Sequence, residues 1–331
     1  MMNSESNLSW RWEDDPRHNL EFFVLSCRST TPNGFDLEAW VTPSVGSNCC
    51  RFSVNGAAVI DFDPSLLRSD FTGTPVLYPT PNRVRGGVFR YNGRNYPQSL
   101  RGVEIFEHGL VHGEAWQYRQ PQIQGDSVEF STWIDFEPFS PLFTAFPFKH
   151  RLELEFRLQT SGLKITYTLT NQDEQALPFG FGLHPYFMRL EGDEDTLVQI
   201  PAEYVMDTSA DLLPTGRLLP VQGTHFDLTE PLPIGSLDLD HVFTGVRAGQ
   251  SASVFYRRQG LSVRLLASED FSHMVLYSPR GVNFFCLENQ TCSTDAHNLY
   301  DRGFTRESGL KLVQPGGVHS GSVTYLISRE D

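Results

Sequence analysis

Ten histidines occur in the 331 residues, and His is the side chain poised to exchange protons near neutral pH. His184 stands apart by its surroundings. It sits in Phe179-Gly180-Phe181-Gly182-Leu183-His184-Pro185-Tyr186-Phe187, where a rigid proline would aim the ring and aromatics would wall it. Such an imidazole is either a proton donor or a packed core residue. His18, His150, His225 and His319 lie among polar, loop-like neighbours and read as bystanders. His108 and His112 fall four apart in His108-Gly109-Leu110-Val111-His112-Gly113-Glu114-Ala115-Trp116. That spacing invites a metal, but the glycines argue against a ligand-bearing helix and no Glu follows His108 directly, so no metal is expected.

Carboxylates are many, so position must select among them. Glu288 ends the β-prone run Val282–Leu287 and precedes the polar stretch Asn289–Asp295. A carboxylate at the end of a buried strand loses solvation, which raises its pKa and makes it a useful base; a solvated turn residue is the alternative. Asp240 lies in Leu237-Asp238-Leu239-Asp240-His241-Val242, with Asp238 as a near neighbour that could take its place.

The elements that must position these residues read as strands. Leu152, Leu154, Phe156 and Leu158 alternate with Arg151, Glu153, Glu155 and Arg157. After Gln159–Gly162 the pattern resumes with Leu163, Ile165, Tyr167 and Leu169, a hairpin with one wet and one buried face. Asn55-Gly56 and Asn92-Gly93 mark tight turns. Only short helical pieces are expected, such as Ser65–Ser69 after Pro64. With no run of 10–15 helical residues between strands, a parallel α/β sheet is excluded in favour of an all-β, large antiparallel sandwich. Residues 1–18 are expected to be a poorly ordered lead-in and 19–331 a single domain. The Pro-rich stretch Glu137–Pro147 is the best candidate boundary, yet its aromatics Phe139, Phe143 and Phe146, with Phe148 beyond, look packed.

The net charge of −14 repels phosphate backbones, so neither nucleic acid nor anionic membrane is an expected partner. Cys27, Cys49, Cys50, Cys286 and Cys292 are odd in number and irregular in spacing, which argues against a disulfide framework or a zinc site. They read as buried small hydrophobes. Met1–Asp15 lacks a basic start followed by an apolar run, and no stretch approaches the ~18 apolar residues of a membrane span. A cytoplasmic setting is expected, and the glycosylation patterns at Asn7 and Asn289 are read as accidental.

Taken in order, Asn82-Arg83-Val84-Arg85-Gly86-Gly87, His112-Gly113, Gly182-Leu183-His184-Pro185-Tyr186-Phe187, Asp240-His241 and Glu288 resemble the aldose 1-epimerases of the galactose mutarotase superfamily. Phe146-Pro147-Phe148, Leu213-Pro214-Thr215-Gly216 and Val313-Gln314-Pro315-Gly316-Gly317 match as well. The resemblance covers most of residues 70–327. It implies a large antiparallel β-sandwich and interconversion of the α and β anomers of an aldose, free or phosphorylated, with no cofactor. It also implies Glu288 as general base, His184 as general acid and His112 as a second histidine near the ring oxygen. Arg83 and Asp240 would hold sugar hydroxyls, and Trp116 would stack on a sugar face or pack in the core. A phosphate would need further basic groups, for which Arg85, Arg90 and Arg119 are the candidates. Asn289 follows Glu288 where many members carry Pro, so the chain past the base is expected to take its own path. The expected partner is a small-molecule sugar, the chain being a monomer or weak homodimer. A non-catalytic carbohydrate-binding protein and a glycoside hydrolase with two carboxylates are the competing readings.

Overall fold

The computed structural model describes residues 6–246 and 250–330. Two large antiparallel sheets dominate it. The larger runs from edge to edge through Ser6–Asp15, Leu20–Ser29, Leu37–Thr42, Asn48–Val54, Ala57–Ile60, Tyr186–Met188, Phe284–Gln290, His273–Tyr277, Asp240–Thr244, Tyr204–Thr208 and Pro214–Pro220. Gly182–Leu183 and Val76–Leu77 pair alongside its centre. The second sheet runs Gln117–Gln124, Ser127–Phe136, His150–Gln159, Gly162–Asn171, Val318–Arg329, Leu261–Ala267, Ala252–Tyr256, Thr196–Gln199 and Leu232–Pro233.

The hairpin legible in the sequence forms as expected, with Leu152 facing Leu169 and Leu158 facing Leu163 across the ladder. One face of each strand is buried, because side chains alternate sides along a strand and only the apolar set faces the other sheet. Leu154, Phe156 and Ile165 from this sheet share one continuous core with Leu25, Phe52, Phe187 and Phe285 from the larger one. Asn55-Gly56 and Asn92-Gly93 close two-residue hairpins, flanked by the pairs Val54–Ala57 and Tyr91–Arg94. All four turn residues have positive φ, the geometry that twists with the strands.

Three expectations are corrected. Residues 6–15 of the supposed lead-in form an edge strand paired along its whole length with Leu20–Ser29. There, Trp10 packs against Phe23, so the segment has an apolar reason to stay. Ser65–Ser69 is a series of turns, while the short α-helices lie at Pro141–Ala145, Gly192–Asp195, Ala296–Asp301 and Thr305–Ser308. In the Pro-rich stretch Phe146 and Phe148 are buried as expected, but Phe139 is 100% exposed. Its positive φ, at the turn before the Ser140-capped helix, points the ring outward. All five cysteines are free and buried. Among the described residues no helix is long and apolar enough to cross a membrane.

Loop packing fixes the segment carrying His108 and His112. His108 N–H donates to Asn82 O and Leu110 N–H to Tyr78 O, so this loop lies against the one bearing Arg83. A Cβ on Gly109 (φ +77°) would sit 2.2 Å from Tyr78 O, which leaves no room for any other residue. Gly93 (φ +73°) has open space, so an alanine there meets only the left-handed penalty of about 1–2 kcal/mol. In urea unfolding, Gly109→Ala is therefore expected to lose clearly more stability than Gly93→Ala. Equal losses would show that the close approach is not maintained in solution.

Candidate functional site

The centre of the site is a cross-strand pair. The register that sets Leu183 opposite Asn289 and Tyr186 opposite Cys286 leaves His184 opposite Glu288. Pro185 has no N–H to donate and breaks the ladder at this point. His184 N–H turns to the other side and donates to Pro75 O. Directly opposed residues bring their side chains together, and His184 Nε2 lies 3.2 Å from Glu288 Oε1. The imidazole is 5% exposed and the carboxyl 2%.

Burial in apolar surroundings disfavours the charged form of either group. It pushes Glu288 up to about 8, against a hydrogen bond from Gln290 Nε2 to Oε2 (2.8 Å) that works in the other direction. It pushes His184 down to about 3. Between those values the pair holds one proton, which burial places on Glu288, with His184 Nε2 3.2 Å away.

Around this pair the expected residues converge. Arg83 Nη2 donates to Asp240 Oδ2 at 3.1 Å, and both charges lie close enough to Glu288 to act on it. Asn82, at positive φ, holds Arg83 by accepting from its N–H and from Nη1. Asp238 instead reaches the exposed Arg280, so Asp240 is the carboxylate on this side of the strand. His112 lies beneath Phe71, ring centroids 4.6 Å apart, and Phe71 lies parallel to His184 at 6.4 Å. Burial lowers the pKa of His112.

Trp116 needs a correction. Its indole belongs to the hydrophobic core and donates to Val111 O, so it braces the His112 loop from within and presents no stacking face. His150, read as a loop residue, is a buried strand residue bonded to Tyr78 Oη at 2.6 Å. Asn289 does not leave the strand, which continues through Gln290. Its burial is consistent with an accidental glycosylation match.

Three residues were missed, Phe71, Gln290 and His108. Phe71 and Gln290 carry no signal of chemistry in the sequence, whereas Tyr186, stacked on His184 at 5.0 Å, is one of the aromatics expected to wall it. His108 was weighed only as a metal ligand, yet its ring meets His184 edge-on at 5.1 Å. The Nδ1 atoms of His108, His112 and His184 are all buried without a protein partner. Buried polar atoms are rarely left so. Among the described residues no group of His, Cys, Asp and Glu is arranged to hold a metal.

The buried His184–Glu288 pair and the Arg83–Asp240 ion pair are set on a large antiparallel sandwich, and solved structures show the same fold. A galactose mutarotase-like protein from Clostridium acetobutylicum superposes with a TM-score of 0.80, at 21% identity over 98% of this chain and 99% of its own. The galactose 1-epimerase of Lactobacillus acidophilus superposes at 0.73, with 16% identity, over 99% and 100% of the two chains. The aldose 1-epimerase family model matches residues 10–326, and the chain belongs to that family. Among relatives, the uncharacterized protein YihR of Escherichia coli is 25% identical over 83% of this chain and 86% of its own. Human galactose mutarotase is 29% identical over 48% of this chain and 46% of its own length.

The shifted pKa values carry a signature in stability. From about 4.5 to about 8 the folded protein keeps a proton on Glu288 that the unfolded chain releases, so this contribution is lost as pH rises through that window. From about 6.5 down to about 3 the unfolded chain binds a proton that buried His184 refuses, so its contribution is lost as pH falls. Glu288→Gln retains the shape without the ionisation. Its melting temperature is expected to fall less than that of the wild type between neutral pH and pH 9. Parallel curves would contradict an upshifted carboxyl.

Proposed function

We propose that the protein is an aldose 1-epimerase that opens and recloses a hemiacetal ring between Glu288 and His184. The observation that carries this reading is the 3.2 Å contact of the two buried groups beside the Arg83–Asp240 pair. Ring opening needs one proton to leave the anomeric hydroxyl and one to reach the ring oxygen. In the unliganded protein the pair's single proton rests on Glu288. Once it passes to His184 across the 3.2 Å contact, the Glu288 carboxylate takes the O1 proton while the imidazolium gives its own to the ring oxygen. The C1–O5 bond breaks and C1 becomes an aldehyde. Rotation about C1–C2 presents the other face, and the transfers then run in reverse. The count of protons on the enzyme is restored at each closure, so no cofactor is consumed.

Arg83 and Asp240 are the groups suited to hold sugar hydroxyls, one donating and one accepting. They would fix the ring so that both reacting oxygens meet the pair. His112, and with it His108, would take remaining contacts near the ring oxygen through their unpartnered Nδ1 atoms. A neutral aldose suits the site better than a phosphate ester. Arg85, Arg90 and Arg119 already face Asp295, Asp301 and Glu153, each at 3.7 Å.

The test is anomer exchange of free hexoses, followed by NMR or polarimetry, with glucose 6-phosphate as the anionic comparator. Positioned acid–base groups contribute ~10²–10⁴-fold each. Glu288→Gln and His184→Gln are each expected to lose activity in that range while still binding sugar. For the wild type, kcat/KM should hold steady through neutral pH and fall above about 8 as the pair loses its one proton. Both variants retaining the wild-type rate would overturn the assignment. Saturable sugar binding by the wild type without acceleration would make it a carbohydrate-binding protein instead.

A further inference from the structure

A cleft of about 440 Å³ opens beside the site, within the ~300–1,000 Å³ range of small-ligand pockets. Its walls are Phe62, Phe71, Tyr186, Tyr277 and Phe284, with Leu66 and Met188, and Asp61, Asp63 and Asp70 at its edge. Three of these residues also touch the reaction site. Phe71 and Tyr186, which both stack on His184, mark the cleft's inner end. Tyr277 is the cross-strand partner of Asp240. Cleft and pair thus share the Phe71 and Tyr186 side chains, and a ligand at that end of the cleft lies next to an aldose held at Glu288 and His184.

We infer that this cleft is a second saccharide subsite, seating the sugar unit attached to a reducing-end aldose held at Glu288 and His184. The inference rests on the anomer-exchange reading for what lies at the inner end. The wall chemistry selects the occupant. Half-exposed aromatic faces receive the C–H faces of pyranose rings, and carboxylates accept hydrogen bonds from hydroxyls. Asp61 is turned by Arg51 Nε (2.8 Å) and accepts from Phe62 N–H; Asp70 accepts from Phe71 N–H. Both carboxyl groups are thereby fixed to the backbone of the aromatic residues beside them. Asp63 is held by the Ser65 backbone and hydroxyl. Among the described residues no Lys or Arg lines the cleft, so the occupant is a neutral glycosyl unit and not a sugar phosphate or sulfonate. Leu66, 41% exposed on the outer wall, gives apolar contact without reaching the reacting pair.

The experiment compares glucose with disaccharides that all end in reducing glucose, namely maltose, cellobiose, lactose, isomaltose and melibiose. At least one is expected to show kcat/KM roughly tenfold or more above glucose, carried by KM. Leu66→Asp and Asp63→Ala should remove that advantage and leave glucose turnover unchanged. If every disaccharide is turned over no better than glucose, the subsite is refuted. A binding arm separates this outcome from failure of the catalytic reading. Methyl glycosides of the same disaccharides cannot open, and their Kd is measured against methyl glucoside. If no sugar is anomerised, tighter binding of one disaccharide glycoside, lost in Leu66→Asp, still supports the subsite, and equal binding still refutes it.

Discussion

An imidazole and a carboxyl buried side by side are stable only if they share a proton or find other partners, because isolated charges in an apolar interior are strongly disfavoured. At His184 and Glu288 the sheet enforces this condition. The two residues face each other in a ladder whose register is set on both sides, by Leu183–Asn289 and by Tyr186–Cys286. Neither can move away without breaking pairing at the centre of the larger sheet. Much of the surrounding structure keeps that pair buried. Phe71 and Tyr186 cover the imidazole, and Gln290 steadies the carboxyl from its own strand.

The same constraint links fold to chemistry. Pro185 interrupts the ladder on the Glu288 side, while on the other edge of the same segment Gly180, His184 and Tyr186 N–H donate to Pro79, Pro75 and Gly73 O and fix residues 73–79 beside the pair. The Arg83 loop is in turn tied to the His108 loop through Asn82 O. Asp295 N–H donates to Arg83 O, anchoring it from the other side. Arg83 is thus held on a loop, whereas Asp240 opens a strand, Glu288 lies within one and His184 sits between two short strands that pair with the Glu288 strand.

The sequence made the sheets legible because alternation is a local property. Arg151–Leu158 and Leu163–Thr170 announce their buried face residue by residue, and Asn-Gly announces its turn. His184 and Glu288 could each be suspected from neighbours, but their opposition is a register fact spanning about a hundred residues, which no local pattern carries. The family resemblance supplied that pairing. It could not supply Phe71 or Gln290, whose places beside the pair come from where the loop and strand fall. Trp116 stood open between a sugar platform and a core residue, because an aromatic near a polar motif fits both until packing places it in the core. The edge strand Ser6–Asp15 was hidden by its charged outer residues, although Leu8 and Trp10 pack on the core.

The account stands on the shared proton, and carbon-13 NMR of selectively labelled Glu288 and His184 reads it most directly. The expected result in the unliganded protein is a protonated Glu288 carboxyl at neutral pH, titrating near 8. His184 should be neutral over the same range, and its signal should move as Glu288 loses its proton. An ionised Glu288 carboxylate throughout the neutral range, with a His184 that titrates independently at its ordinary value, would contradict it.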